Sequence, residues 1–154
     1  MPYKYKYLFF PMIFLLVLSF VGCNQKDANL QESKEKTNII QNTKLDGKTI
    51  ISATVSKVGE SMADVKKPHI TYTQENSKDL QVFVDAVRRA EKVNGVMDVT
   101  APDFQITLTF KDKTISIYLL WLGDDGGAIM NENDTHTMYT LPSDLNGILY
   151  KYVK

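Results

Sequence analysis

The stretch FQITLTF-KDK-TISIYLLWL, residues 104–122, decides the fold of this 154-residue chain. From Phe104 to Phe110 apolar and polar side chains alternate strictly, and this period of two is typical of a strand with one buried face. The polar residues 111–113 form a short turn, and a second alternating run follows them. Its apolar positions are Ile115, Ile117, Leu119 and Trp121. The stretch therefore predicts a β-hairpin with an apolar face on both arms.

The second arm of this hairpin is apolar on its other face as well, through Tyr118, Leu120 and Leu122. Strands that are buried on both faces have near-continuous apolar sequences. We therefore expect a central strand whose second face is partly covered, either by the chain itself or by a partner.

Upstream of the hairpin, the sequence predicts two strands and a helix. Residues 51–55 and 70–73 place apolar side chains at every second position, and residues 59–68 form the loop between them. Asn76 or Ser77 can cap the helix, and Gly95 is typical of the position just past a helix end. Arg88 and Arg89 either make ion pairs on the helix surface or form part of an anion site. The apolar stripe of the helix contains Leu80, Phe83, Val84, Val87 and Ala90.

Downstream of the hairpin, residues 128–131 and 136–141 predict two short strands, and a second helix follows from Ser143. The resulting order, β-β-α-β-β-β-β-α with short connections, favours antiparallel pairing. We expect an α+β fold in which two amphipathic helices pack on one face of a mainly antiparallel β-sheet. This single domain is predicted to span residues 48–154. The apolar stripe of the second helix contains Leu145, Ile148, Leu149 and Tyr152.

The first 23 residues have the pattern of a secretory signal. Lys4 and Lys6 give a basic start, and the apolar residues 7–21, at about 1.5 Å each, are too few to cross a hydrocarbon core of ~30 Å. The run ends in Gly22 and Cys23, which resemble the lipobox of bacterial lipoproteins. Phe20 departs from that motif, because an aliphatic residue is expected three positions before the cysteine.

The lipobox resemblance implies cleavage after Gly22, an S-diacylglycerol on Cys23 and an N-acyl chain such as palmitate on the new amino group. Two or more acyl chains hold a protein firmly at a bilayer. We therefore predict that residues 1–22 are a lipoprotein signal peptide and that Cys23 anchors the protein to the cell membrane, facing outside the cytoplasm. The alternative is an uncleaved N-terminal membrane helix with an incidental cysteine.

Residues 23–47 are predicted to be the lipidated cysteine and a flexible tether. The segment has no aromatic residue and few aliphatic ones, so it cannot bury enough apolar area to offset the entropy of ordering. Residues 34–36 are either part of this solvated tether or a docking patch.

The charge balance excludes some partners. Residues 1–22 contain two of the 18 basic residues and none of the 18 acidic ones, so the mature chain has a small acidic excess. Nucleic acid is not expected as a partner, because no basic excess is available to neutralise phosphates. Cys23 is the only cysteine, and its acylation leaves no thiol for a disulfide or a redox site.

We find no catalytic constellation in the sequence and predict no enzyme, no cofactor and no metal site. The G-x-S-x-G and G-x-x-x-x-G-K motifs are absent, and the two histidines, His69 and His136, lack partners at metal-ligand spacing. Asp124, Asp125 and Asp134 lie in oxygen-rich loops and are a candidate cation or ligand loop. Their spacing does not match an EF-hand.

Four segments carry a family resemblance: Val82-Phe83 in the first helix, residues 104–110, Ile117-Tyr118-Leu119, and residues 139–143 (YTLPS). From Ile51 onward the chain resembles the YhfM-like domain of Bacillus lipoproteins. The resemblance implies a Gram-positive cell-membrane lipoprotein and its fold. No catalytic or binding residue carries over from it.

We therefore expect a non-catalytic module, held outside the cytoplasm by its lipid, that binds or modulates an envelope or membrane protein. One alternative is a small-ligand or cation receptor that uses the loops around Asp124 and Asp134 or an aromatic face of Tyr118 and Trp121. An envelope hydrolase is a further alternative. The partner, the ligand and the oligomeric state are left open by the sequence.

Overall fold

The computed structural model describes residues 43–95 and 98–154. The predicted signal peptide, Cys23 and residues 24–42 of the tether lie outside the described residues. The described strands are β1 (Lys44–Leu45), β2 (Lys48–Lys57), β3 (Ile70–Thr73), β4 (Glu91–Lys92), β5 (Phe104–Phe110), β6 (Ile115–Gly123), β7 (Gly126–Asn131) and β8 (Met138–Thr140). The described helices are α1 (Ser77–Arg89) and α2 (Ser143–Val153), and a 3-10 turn at Gln74–Asn76 leads into α1.

The strands form one sheet in the order β1-β2-β5-β6-β7-β8-β4, and β3 pairs with β2 beside β1. Every pairing between the described strands is antiparallel. The predicted hairpin is confirmed as β5 and β6 at the centre of this sheet. The prediction of an α+β fold with a mainly antiparallel sheet is therefore confirmed.

The hairpin turn sets which side chains face the core. The amide of Phe110 donates to the carbonyl of Thr114 over 2.9 Å, and Lys113 adopts a left-handed conformation with φ of 68°. This three-residue loop places Phe110 and Thr114 opposite each other, so even-numbered residues of both arms share a face. Tyr118 and Leu120 consequently stand opposite Ile106 and Phe104.

The structure therefore reverses the faces predicted for β6: its even-numbered residues, and not its odd-numbered ones, face the main core. Tyr118 and Leu120 are buried in the main core, whereas Ile115, assigned to the core from the sequence, is 56% exposed. Leu119 and Trp121 belong to a second, smaller cluster on the other face of the sheet. That cluster confirms that the second face of β6 is partly covered by the chain itself. Its members are Leu119, Met130 and Met138, with Val93, Val99, Trp121 and Ala128 packed against them.

A β-bulge in β2 also changes which side chains face the core, relative to the sequence prediction. Ile50 stands opposite Phe110, but Ser52 stands opposite Thr109, so Ile51 is the extra residue. Ile50 is fully buried as a result, and Ile51, predicted to face the core, is only half-buried. The predicted alternation is confirmed for the rest of β2.

The first helix starts as predicted but ends earlier. Asn76 is its N-cap residue, and the helix stops at Arg89 because Ala90 is extended, with φ of −66° and ψ of 138°. Residues 91–92 then form β4 at the edge of the sheet, next to β8. The prediction that Gly95 marks the helix end was therefore wrong.

Side chains from both helices and from the sheet form one main core cluster. From α1 it includes Leu80, Phe83 and Val84, and from α2 it includes Leu149 and Val153. Tyr72 of β3 lies 5.4 Å from Phe83 and 5.7 Å from Tyr152 between ring centroids, in tilted arrangements that favour aromatic pairs. Within the part of the chain that is described, no helix is long and apolar enough to cross a membrane.

The domain begins before residue 48, the predicted boundary. Asp46 and Gly47, with φ of 51° and 78°, form the two-residue turn that joins β1 to β2. Leu45 is 4% exposed and belongs to the main core cluster, and Thr43 is also buried. Residues 43–47 thus belong to the sheet and not to the tether, because the Asp-Gly turn returns Leu45 to the core.

Candidate functional site

The three aspartates of the predicted cation or ligand loop are not brought together. Asp124 and Asp125 lie in the turn before β7, and Asp134 lies in the turn after it. All three are exposed. From its first to its last residue β7 spans roughly 17 Å, at about 3.4 Å for each step along the strand, and this length separates the two turns. Among residues 43–95 and 98–154, no three His, Cys, Asp or Glu side chains are grouped so that they could hold a metal ion.

His69 and the two arginines have structural contacts. His69 donates a hydrogen bond from Nε2 to the carbonyl of Val153 over 2.9 Å. This bond links the end of α2 to the residue that precedes β3. Arg89 donates two hydrogen bonds of 2.9 and 2.8 Å to the carboxylate of Asp144, joining α1 to α2. These bonds hold the pKa of Asp144 below its usual value. Arg88 donates to the carbonyl of Lys44 in β1. The two arginines therefore point to different partners and do not form one anion site.

Tyr118 and Trp121 do not share an aromatic face. They are three residues apart in one strand, so their side chains lie on opposite sides of the sheet. Tyr118 is in the main core cluster, while Trp121 donates from Nε1 to the carbonyl of Thr100 over 3.0 Å. The predicted receptor face that combined these two residues was wrong.

The face of the sheet that contains Trp121 continues into an uncharged surface over β3, β2, β5 and β6. Strand pairing aligns its side chains in two rows of four. We call these eight residues the open face. Its first row is Thr73, Ser52, Thr109 and Ile115, and its second row is Thr71, Thr54, Thr107 and Ile117.

The open face is small. Four strands spaced by about 4.8 Å span roughly 14 Å, and the two rows are about 7 Å apart along the strands. Each of the eight side chains is exposed or half-buried, and Ile115 is the most exposed large apolar residue of the described chain. The next row ends this surface, because Ser56 and Leu119 are buried.

A pocket lies on the opposite face of the sheet, at the end of α1. Its volume is about 190 Å³, and its lining is Val87, Tyr118, Ile129, Met130, Asn131 and Tyr139. Burial raises the pKa of Tyr118, and the carboxylate of Asp46 raises it further, while hydrogen bonds with the side chains of Asn131 and Ser116 act in the opposite direction. The pocket therefore combines two phenol groups, one amide and an apolar wall.

Neither the open face nor the pocket was found from the sequence. The alternating threonines of β3 and β5 were a signal for the open face, but their alignment with β2 depends on strand order and on the bulge after Ile50. The pocket joins residues 87, 118 and 139 from three separate elements. No local pattern connects those positions.

Comparisons with known proteins establish the family. No curated protein and no solved structure matches this chain. A family model described as YhfM protein matches residues 54–154, which is more than half of the chain and most of the described domain. The matched segment starts in the middle of β2 and includes both helices and the central hairpin. The chain therefore belongs to the YhfM protein family.

Proposed function

We propose that this protein is a non-catalytic module, anchored by a lipid outside the cytoplasm, that binds an envelope or membrane protein through the open face of its sheet. The observation that carries this proposal is the lack of charge on the open face. Eight neighbouring side chains carry no charge in a protein in which 23% of residues are charged. Depletion of charged residues is the compositional mark of the centre of a protein interface.

Packing of both helices on the core-facing side of the sheet would leave the open face, on the other side, available to a partner. The support is that Leu80 and Phe83 of α1 share one cluster with Leu149 and Val153 of α2 and with the core-facing side of the sheet. The side chains of the open face alternate with those core residues along each strand, so they point away from that cluster.

The size of the open face indicates which part of an interface it would form. A stable protein interface buries about 800 Å² on each partner, and a patch of roughly 14 by 7 Å covers only a fraction of that area. The open face would therefore be the centre, with the ion pair between Lys48 of β2 and Asp112 of the hairpin turn among the charged groups available for a polar rim. Polynucleotides are poor candidates, since binding to phosphates needs an excess of basic groups.

The proposed anchor is Cys23, for which the support is the sequence pattern of residues 1–23. Intact-mass analysis of the detergent-soluble protein tests it. The expected species begins at Cys23 and carries a diacylglycerol, with or without an N-acyl chain. A species that begins at Met1 and has no lipid would contradict the anchor.

Photo-crosslinking in intact cells tests the proposed binding face. A photoreactive amino acid is placed at Ile115, on the open face, or at Ile148, which is 38% exposed on α2 and serves as the matched control. We expect a discrete adduct larger than the monomer from position 115 and not from position 148. Equal adducts from both positions, or recovery of the monomer alone from both, would contradict the proposal. An adduct of twice the monomer mass would identify a second copy of the chain as the occupant.

A further inference from the structure

The chain contains the pair Asn-Gly twice, and the structure places the two pairs in different environments. Asn94 and Gly95 follow β4 in a loop, whereas Asn146 and Gly147 lie inside α2. In such a pair the backbone nitrogen of the glycine can attack the side-chain carbonyl of the asparagine, because glycine has no Cβ to obstruct the approach. The attack closes a five-membered succinimide ring. The environment of each pair therefore decides which asparagine reacts.

The pair in the loop is open to this attack. Asn94 and Gly95 are both exposed, and a Cβ added at Gly95 would meet no heavy atom within 4 Å. Gly95 has φ of 120°, a conformation that glycine adopts without strain. Among residues 43–95 and 98–154, no hydrogen bond holds the side chain of Asn94 or the backbone amide of Gly95. Both reacting groups are therefore accessible.

The pair in the helix is protected from the same reaction. Asn146 is 8% exposed, and its Nδ2 donates to the carbonyl of Gly123 over 2.8 Å. The backbone amide of Gly147, four residues after Ser143, belongs to the hydrogen-bond ladder of α2. Ring closure at this pair requires the first turns of α2 to open, and the free energy of opening is added to the barrier of the reaction.

We propose that Asn94 is a site of spontaneous deamidation. The nitrogen of Gly95 forms a bond to Cγ of Asn94, the bond between Cγ and Nδ2 breaks, and Nδ2 leaves as ammonia with the proton of the Gly95 amide. Water then opens the ring at either carbonyl and gives aspartate or isoaspartate at position 94. Both products add a negative charge to the loop. Isoaspartate also adds one main-chain atom next to Val93, which packs against the second cluster.

This site is independent of the proposed binding face. The open face uses β3, β2, β5 and β6, whereas β4, which precedes Asn94, is the last strand in the order of the sheet. Either proposal can therefore fail without the other.

Mass spectrometry of the full chain, incubated in a maltoside detergent at pH 6 and at pH 8, tests the proposal. Trypsin releases residues 93–111, and a protease that cleaves before aspartate releases residues 144–154, so each peptide contains one of the two pairs. We expect the first peptide to gain the mass difference between a hydroxyl and an amino group. The gain should be faster at pH 8, because the attacking nitrogen must lose its proton.

The second peptide provides the internal comparison. Deamidation of Asn146 should be at least about tenfold slower than that of Asn94, because α2 must open first. No conversion at Asn94, or equal rates at the two asparagines in the folded protein, would overturn the proposal.

Two controls make the test specific. Asn94→Gln retains a side-chain amide but would have to close a six-membered ring, so the mass gain of the peptide from 93 to 111 should disappear. This variant also separates Asn94 from Gln105, the other side-chain amide of that peptide. In guanidinium chloride α2 is lost, so Asn94 and Asn146 should react at similar rates. A mass gain that persists in Asn94→Gln, or a preference for Asn94 that is unchanged in the denaturant, would overturn the assignment.

Discussion

The exchange of faces in β6 gives a sharp test of the fold through two alanine variants. Leu120→Ala and Ile115→Ala each remove three carbon atoms from the same strand. Leu120 is fully buried opposite Phe104, whereas Ile115 is 56% exposed. At ~0.8 kcal/mol for each buried carbon, Leu120→Ala loses about 2.4 kcal/mol, and the cavity left behind raises the expected cost to about 3 kcal/mol.

For Ile115→Ala the same arithmetic gives a much smaller cost. Only about half of the side chain is buried, so the expected loss is about 1 kcal/mol. Urea unfolding of the chain from residue 24 onward, followed by the fluorescence of Trp121, measures both changes. A larger loss from Ile115→Ala than from Leu120→Ala would refute the register of the hairpin, because it would place the odd-numbered residues in the core.

Three further perturbations have defined outcomes. Gly147→Ala should stabilise the protein by about 0.5–1 kcal/mol in the same unfolding assay, because Gly147 is inside α2 and an added Cβ meets nothing within 4 Å; destabilisation would contradict this. Gly127→Ala should lower the free energy of unfolding by about 1–3 kcal/mol, because its Cβ would lie 2.4 Å from Oδ1 of the buried Asn146. An unchanged urea midpoint would contradict this, because it would mean that the Asn146 side chain moves away from the added Cβ without cost. Hydrogen bonds from Thr114 and Lys48 lower the pKa of Asp112 from 3.8 to about 2, so the stability it contributes is present above pH 3.8 and is lost as the pH falls towards 2. The difference in urea midpoint between the parent protein and Asp112→Asn should therefore shrink between pH 5 and pH 2.5, and a constant difference would exclude this linkage.

Local patterns predicted the elements of this fold well. The strict alternation from Phe104 to Phe110 and the apolar stripe around Phe83 depend only on neighbouring residues, and both elements are present where they were expected. The first is a strand and the second a helix because apolar residues recur at every second position in a strand and at every third or fourth position in a helix.

Details that depend on backbone geometry could not be predicted in the same way. Lys113 in a left-handed conformation sets the register of β6, and the bulge at Ile51 turns Ile50 inward. A shift of one residue exchanges the faces of a strand, so these two local features reassigned several core positions. The early end of α1 has a tertiary cause, since residues 91–92 pair with β8, far away in the sequence.

The candidate sites were harder to predict from the sequence than these backbone details, because each site combines segments that are far apart in the chain. The open face requires four strands to be aligned, and the pocket requires the end of α1 to approach β6, β7 and β8. The predicted loop of Asp124, Asp125 and Asp134 failed for the same reason: oxygen-rich loops at the two ends of one strand cannot meet.

The most direct test of the proposed binding face adds a charge at its centre. Thr107→Lys is introduced together with the photoreactive residue at position 115, and Thr135→Lys, in the exposed turn after β7, is the matched control. A lysine buried without a partner opposes association strongly. We expect Thr107→Lys to lower the yield of the adduct by about tenfold, given a cost of at least ~1.4 kcal/mol, and Thr135→Lys to leave it unchanged. An equal yield from both variants, with the protein folded, would contradict binding through the open face.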